Sequence, residues 1–429
     1  MTLLQSAARR LDRVAGAIVS AVLIGTAGIV ATLAPFEAAL AQEQKPVGNT
    51  VRPEVGKLVQ TALDLLKGRH TKDALARIHD ADALPNKTAY ETYLIARVHG
   101  QIAAAAGDTK GAAHLLETTA ASNFASGGEK LQFLAAAAGQ YYMAKDYAKV
   151  ADLGARYFKD GGKEKSIRTL YIQALYLGGN FAVAVKELSG EIQDDERAGR
   201  APPEDQLQML ANVYARQRDD SGYATVLEKL VAYHPKKDYW AAVIQSVGAR
   251  PGFSERLALD YARLKLATGT MRTATEYVEA AQLSIQVGLP VEGKKIIDQG
   301  YAAGLLGAGP ESDRHRRLKD MAARNLAEDL KSLGQDDAQL AASKDGVALV
   351  SAGLNHVLNG NAAKGLEMME QGLRKGGMKH ADDLRLHLGY AYHVAGQNQK
   401  AIHAFKAVQG ANGAASLARL WVIYLGQRS

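Results

Sequence analysis

One segment, residues 384–405, constrains the fold of this chain more than any other, because it reads as two short helices joined by a tight turn. Its apolar residues recur every four positions, on one helical face, at Leu384, Leu388 and Tyr392. Gly389 and Ala401 are small, as expected where two helices approach each other closely. The segment therefore predicts a helical hairpin.

Equivalent hairpins recur upstream. The residue that opens the second helix of each one returns at intervals of 34 to 39 residues, with a single interval of 72. These residues are Ala74, Ala112, Val150, Ala184, Tyr223, Leu257, Gly293, Gly365 and Ala401. The double interval predicts one degenerate repeat between Gly309 and Asp345. Stacked hairpins bury their apolar faces against their neighbours, so the periodicity predicts an all-α solenoid.

The order of Leu388, Gly389, Tyr392, Ala401 and Phe405 resembles the tetratricopeptide repeat, whose period is about 34 residues. The resemblance implies a right-handed α-solenoid of about ten degenerate helix-turn-helix repeats, and it implies a role in binding other proteins. Composition agrees with the helical class, because 47% of the residues are hydrophobic and only 10 are proline.

The first 41 residues are typical of an export signal. Arginines at positions 9, 10 and 13 precede an uncharged run, and the Ala-Leu-Ala sequence at 39–41 supplies a cleavage site. We expect the mature protein to begin at Gln42 and to reside in the periplasm. The alternative is an uncleaved inner-membrane anchor, because residues 14–34 are just enough to span a bilayer.

Loop signals divide the remaining chain. Residues 42–53 are polar and predict a flexible leader, and 304–313 are rich in glycine and predict a linker. We therefore expect an N-terminal solenoid over 54–303 and a C-terminal solenoid over 314–429.

A closer resemblance lies in two segments, VLEKLVAYHPKKDYW at 226–240 and GLRKGGMKHADD at 372–383. Both are similar to segments of periplasmic tetratricopeptide proteins associated with TonB systems. That resemblance implies a non-enzymatic accessory of TonB, ExbB and ExbD, which energise outer-membrane transport. The alternative is a scaffold for outer-membrane biogenesis or polysaccharide export, because those scaffolds use the same architecture.

The tetratricopeptide resemblance also implies where a partner binds, because the first helix of each repeat lines a concave groove in such arrays. The residues placed on that wall are Arg97, Gln101, Tyr142, Gln173, Tyr176, Asn212, Arg216 and Tyr239. Amides and guanidinium groups can bond a peptide main chain and tyrosines offer rigid contact area, so we expect an extended peptide. The alternative for each residue is ordinary packing or solvation.

Other chemistries find little support in the sequence. The chain has no cysteine, which excludes disulfides, thiolate catalysis and cysteine-ligated metals. It lacks a zinc-protease pattern, a serine-nucleophile motif and a phosphate loop. We therefore expect no catalytic residue, no metal and no cofactor. An enzyme is the competing class, and it would need a pocket with convergent titratable groups.

Charge and histidine content are also uninformative about a ligand. The formal net charge of +7 is too small over 429 residues to predict nucleic-acid binding. The densest basic run, at 314–319, predicts a solvated helix face, with an acidic partner or an anionic lipid as the alternative. Four clustered histidines are expected to be partly exposed, namely His380, His387, His393 and His403.

Overall fold

A computed structural model describes residues 49–427 as α-helices joined by short turns, without a β-strand in that range. The all-α prediction is confirmed. The predicted export signal at 1–41 and the first part of the leader, 42–48, lie outside the described residues. Within 49–427, no helix combines the length and the apolar character needed to cross a membrane.

The chain divides into two compact units, and the division falls between Val213 and Tyr214, within the helix Glu204–Gln217. The segment 304–313, where the sequence predicts a linker, lies within the second unit. The first helices in order are α1 Pro53–Lys67, α2 Thr71–Asp82, α3 Ala89–Ala105, α4 Thr109–Ala121, α5 Gly127–Met143, α6 Tyr147–Lys159, α7 Lys165–Leu177, α8 Phe181–Arg197 and α9 Glu204–Gln217. The following helices are α10 Asp220–Tyr233, α11 Lys237–Gly248, α12 Ala258–Ala267, α13 Ala274–Gln286, α14 Pro290–Ala302, α15 Ser312–Ser332, α16 Asp337–Ala342, α17 Gly346–Leu358, α18 Ala362–Arg374, α19 Ala381–Val394, α20 Asn398–Lys406 and α21 Ala414–Gly426.

Capping residues in the sequence explain where many helices begin. Thr88 and Ser126 each accept a hydrogen bond from the glutamate three residues later, whose carboxylate bonds back to the capping residue. These capping boxes start the first helices α3 and α5. Asp108 and Asp146 accept a backbone hydrogen bond at the start of the second helices α4 and α6. Local sequence therefore specifies where these helices begin.

Successive helices pack as hairpins in both units, as α1 with α2 through α7 with α8, and again as α13 with α14 and α17 with α18. All nine residues that the periodicity placed at the opening of a second helix are buried. The degenerate repeat is also present, because α16 has only six residues. These observations confirm the hairpin periodicity that the sequence predicts.

Small residues permit the closest contacts between paired helices. A β-carbon at Gly389 would lie 2.5 Å from Cε1 of Phe405, so only glycine fits between α19 and α20. Gly353 and Gly365 face each other in the same way across α17 and α18. One expectation needs correction: Leu388 is only half-buried, whereas Leu384 and Tyr392 on the same face are buried.

The second unit closes on itself. Its last helix, α21, packs against α20 and also against α10, α11 and α12, near the start of the unit. The indole of Trp421 stacks on Phe405 with ring centroids 5.7 Å apart, and Tyr424 lies edge-on to Trp240 at 6.0 Å. Arg419 of α21 also forms an ion pair with Glu228 of α10 at 3.2 Å. The closing contact is therefore an aromatic core with polar contacts around it.

Candidate functional site

Three of the predicted partner-binding residues lie on consecutive first helices of the first unit. Arg97 of α3 forms an ion pair of 3.0 Å with Glu129 of α5, and its guanidinium lies 5.5 Å from the centroid of Phe133. The Tyr142 hydroxyl of α5 donates a hydrogen bond of 3.1 Å to Oε1 of Gln173 on α7. These contacts join α3 to the start of α5 and the end of α5 to α7. We call the polar side chains that connect these three helices the first-helix row.

An aromatic pattern repeats beside this row. Tyr142 packs edge-on to Tyr147 at 5.7 Å, and Tyr176 packs against Phe181 at 6.2 Å. Each pair bridges the turn of one hairpin, and the second pair follows the first by 34 residues, which is one repeat period. The exposed side chain of Met143 adjoins the first pair. Rigid aromatic surface and hydrogen-bonding groups therefore lie side by side in the third and fourth repeats.

The other predicted residues differ in accessibility. Gln101 is half-buried and Arg216 is exposed. Asn212 and Tyr239 are each only 8% exposed, and the Lys236 ammonium lies 5.8 Å from the Tyr239 ring centroid. Buried side chains offer little area to a partner. The accessible candidates are therefore Arg97, Gln101, Tyr142, Gln173, Tyr176 and Arg216.

The structure also contains a buried ionic cluster that sequence reasoning missed. The Arg263 guanidinium donates two hydrogen bonds to Glu292, of 2.9 and 2.7 Å, and one of 2.9 Å to Asp260. The Tyr390 hydroxyl donates to Glu292 at 2.8 Å, and its ring lies 4.5 Å from the guanidinium carbon. His387 contacts the other Asp260 oxygen at 3.1 Å. Helices α12, α14 and α19 thus meet around one buried cation.

The surroundings of this cluster shift the pKa of Asp260 and of Tyr390. Burial would raise the pKa of the Asp260 carboxyl, but His387 and Arg263 outweigh burial and hold that pKa below its ordinary value. Burial and the adjacent Glu292 carboxylate raise the pKa of the Tyr390 hydroxyl well above its ordinary value, so the hydroxyl stays a proton donor. Both carboxylates are thus committed to Arg263. This pairing explains the cluster as a structural tie within the second unit.

The sequence contains a partial signal for this cluster. Asp260 and Arg263 are three residues apart, which places them on one helical face, but exposed pairs of that kind are common. Their partners are distant in the sequence. Glu292 lies 29 positions from Arg263, and His387 lies 127 positions from Asp260. No helical period connects such positions, so only the fold reveals the burial.

The four histidines that cluster in the sequence differ in their exposure. His380 and His403 are exposed and His387 and His393 are half-buried, so each of the four is at least partly exposed, as the sequence predicts. The His393 ring lies 5.2 Å from Trp421. Over residues 49–427, no three histidine or acidic side chains are grouped so that they could hold a metal ion.

Comparison with known proteins adds similarity in fold type only. No protein-family model matches this chain, and no curated protein matches it. A structure of Naa15/Naa10 bound to HypK-THB is 14% identical, with a TM-score of 0.28, and the match covers 85% of this chain and 65% of that one. Yeast Tom70 is 9% identical with a TM-score of 0.25, over 87% and 96% of the two chains. The TPR domain of P58(IPK) is 13% identical with a TM-score of 0.22, over 87% and 97%. Similarity this low carries no argument about function.

Proposed function

We propose that this chain is a non-enzymatic protein-binding scaffold of the periplasm that uses the first-helix row to hold an extended peptide segment. The observation that carries the proposal is that polar side chains connect the successive first helices α3, α5 and α7, with a repeated aromatic pair beside them. Arg97 and Gln173 provide donors for carboxylates or carbonyls, and Tyr142 and Tyr176 provide rigid surface. Helical hairpins store their stability in the contacts between repeats, so surface residues remain available for binding.

For the specific role, we propose an accessory of a TonB-type system that energises outer-membrane transport. The support is the similarity of the segments at 226–240 and 372–383 to periplasmic tetratricopeptide proteins of such systems. The export signal predicted at 1–41 fits the same compartment. Candidate partners are therefore the periplasmic parts of TonB, ExbB and ExbD.

The proposal is tested by measuring the binding of purified periplasmic domains of TonB and ExbD to the mature chain. We expect Arg97→Ala combined with Gln173→Ala to weaken binding at least about tenfold, because the loss of one hydrogen bond from a charged group already costs about 1.5–3 kcal/mol. The matched control is Arg77→Ala, because Arg77 lies on the second helix α2 and pairs with Asp80 at 2.9 Å.

Both variants should keep the free energy of unfolding of the parent within about 1 kcal/mol in urea titrations, because the ion pairs of Arg97 and Arg77 are partly exposed. Equal binding of the double variant and the parent would refute the role of the first-helix row. Failure of both domains to bind the parent chain would refute the TonB assignment.

A further inference from the structure

The eighth repeat, in the second unit, leaves its first helix poorly covered. Helix α15 has 21 residues, yet only His315, Leu318 and Ala322 are buried. The helix that follows, α16, buries no residue and packs mainly on α17 and α18. The Lys375 ammonium, just after the end of α18, donates a hydrogen bond of 2.9 Å to the carbonyl of Ala341 and so ties α16 to α18. Helix α15 therefore contacts chiefly α14 and α13.

An open groove runs between α14 and α15. Its volume is about 570 Å³, and its apolar lining comes from Val291 and Ala302 of α14 and Leu326 of α15. Leu330 follows Leu326 by four residues, on the same face of α15, and is 53% exposed. The groove therefore continues as an accessible apolar strip along α15.

Lysines surround this groove. Lys294 and Lys295 line it, and Lys319 reaches it from α15, whereas Asp298 is the one acidic residue in the lining. The Lys294 ammonium lies 2.6 Å and the Lys319 ammonium 3.3 Å from the Asp298 carboxylate. The hydrogen bond from Lys294 keeps the pKa of Asp298 below its ordinary value, so the carboxylate is charged. Three lysines against one aspartate leave two positive charges beside an apolar floor.

We propose that this groove, which we call the α14–α15 groove, binds an acidic amphipathic helix of a protein partner. The apolar face of such a helix would cover Val291, Leu326 and Leu330, and its glutamates or aspartates would pair with Lys294 and Lys295. Apolar residues at helical spacing give affinity in this mode, and charge of opposite sign selects the partner and its orientation. The site lies entirely in the second unit and does not depend on the first-helix row.

The test uses the mature chain and a labelled synthetic peptide of about 18 residues, or five helical turns, with leucines on one face and glutamates on both flanks. A scrambled peptide of identical composition is the control for charge alone. Fluorescence anisotropy measures both affinities. We expect the amphipathic peptide to bind, the scrambled peptide to bind at least about tenfold more weakly, and binding to weaken as salt is raised.

Variants locate the site. Lys294→Glu with Lys295→Glu should weaken binding of the amphipathic peptide about tenfold or more, because attraction becomes repulsion. Leu330→Glu should weaken it to a similar extent. Met321→Glu is the matched control, because Met321 is also an exposed apolar residue of α15 but lies nine positions, or about 900°, from Leu330 and so on the opposite side of the helix.

The proposal is overturned if the amphipathic peptide does not bind more tightly than about 1 mM, or if the scrambled peptide binds equally well. Equal effects of Met321→Glu and Leu330→Glu would also overturn it.

A final experiment measures binding of the chain to vesicles that contain an anionic phospholipid. Lysine-dependent binding to these vesicles without binding to the peptide would assign the groove to a lipid surface instead. The groove variants are also tested for binding to TonB and ExbD. If they still bind these domains, the result concerns the α14–α15 groove alone and leaves the proposed function intact.

Discussion

Replacing Arg263 with methionine should destabilise the second unit severely. Arg263 and its partners Asp260 and Glu292 are between 2% and 4% exposed, so Arg263→Met would leave the buried Glu292 carboxylate without a cation and Asp260 with His387 alone. Removing one partner of a buried ion pair costs about 3–5 kcal/mol. With a urea dependence of about 2–3 kcal/mol per M, the unfolding midpoint should fall by about 1–2 M.

Tryptophan fluorescence is the assay, because both tryptophans of the chain, Trp240 and Trp421, are buried in the second unit. The control is Arg385→Met. Like Arg263, Arg385 pairs at 2.9 Å with an aspartate three residues earlier, but Arg385 is 46% exposed. That change should cost no more than about 1 kcal/mol. If the two variants shift the fluorescence midpoint equally, burial does not determine the energy of the cluster and the reasoning is refuted.

Three further predictions concern other parts of the chain. Arg52 donates hydrogen bonds to the buried Glu91 carboxylate and, against the opposing effect of burial, lowers its pKa from 4.5 to about 2. Glu91 therefore stabilises the fold fully above pH 4.5 and loses that contribution as the pH falls towards 2. In Glu91→Gln, the unfolding temperature measured by circular dichroism should decrease less between these pH values than it does in the parent. Gly389→Ala should cost about 1–3 kcal/mol in the fluorescence assay, because its methyl group would overlap Phe405, and an unchanged midpoint would contradict the close packing. Mass spectrometry of the exported protein should find Gln42 at the N-terminus, whereas intact Met1 or Thr2 would favour the membrane anchor.

The local sequence contains enough information for the helical class and the repeat. Apolar residues at helical spacing, residues that open a second helix at intervals of mostly 34 to 39, and capping residues such as Thr88 and Ser126 act within one hairpin or between neighbours. Their effects are short-range, so a single sequence reveals them. The same periodicity located the degenerate repeat, where α16 proved to be six residues long.

The repeat periodicity could not predict which of the partner-binding side chains are exposed. The first-helix geometry selected Asn212 and Tyr239 together with Arg97 and Arg216, yet the first two are buried and the last two are not. Each helical face is shared with neighbouring helices whose tilt and spacing depend on many side chains at once. The sequence pattern identifies a face but does not determine how much of it remains uncovered.

Long-range closure was decided by the tertiary structure alone. Helix α21 returns to α10–α12, and α19 contacts α12 and α14 through His387 with Asp260 and Tyr390 with Glu292, across 127 and 98 positions. A buried charge is stable only where several partners converge on it, and that convergence has no sequence period. The α14–α15 groove has the same origin, because it depends on α16 packing away from α15. Repeat periodicity thus follows from contacts near in sequence, whereas the buried cluster and the groove follow from contacts that only the complete unit brings together.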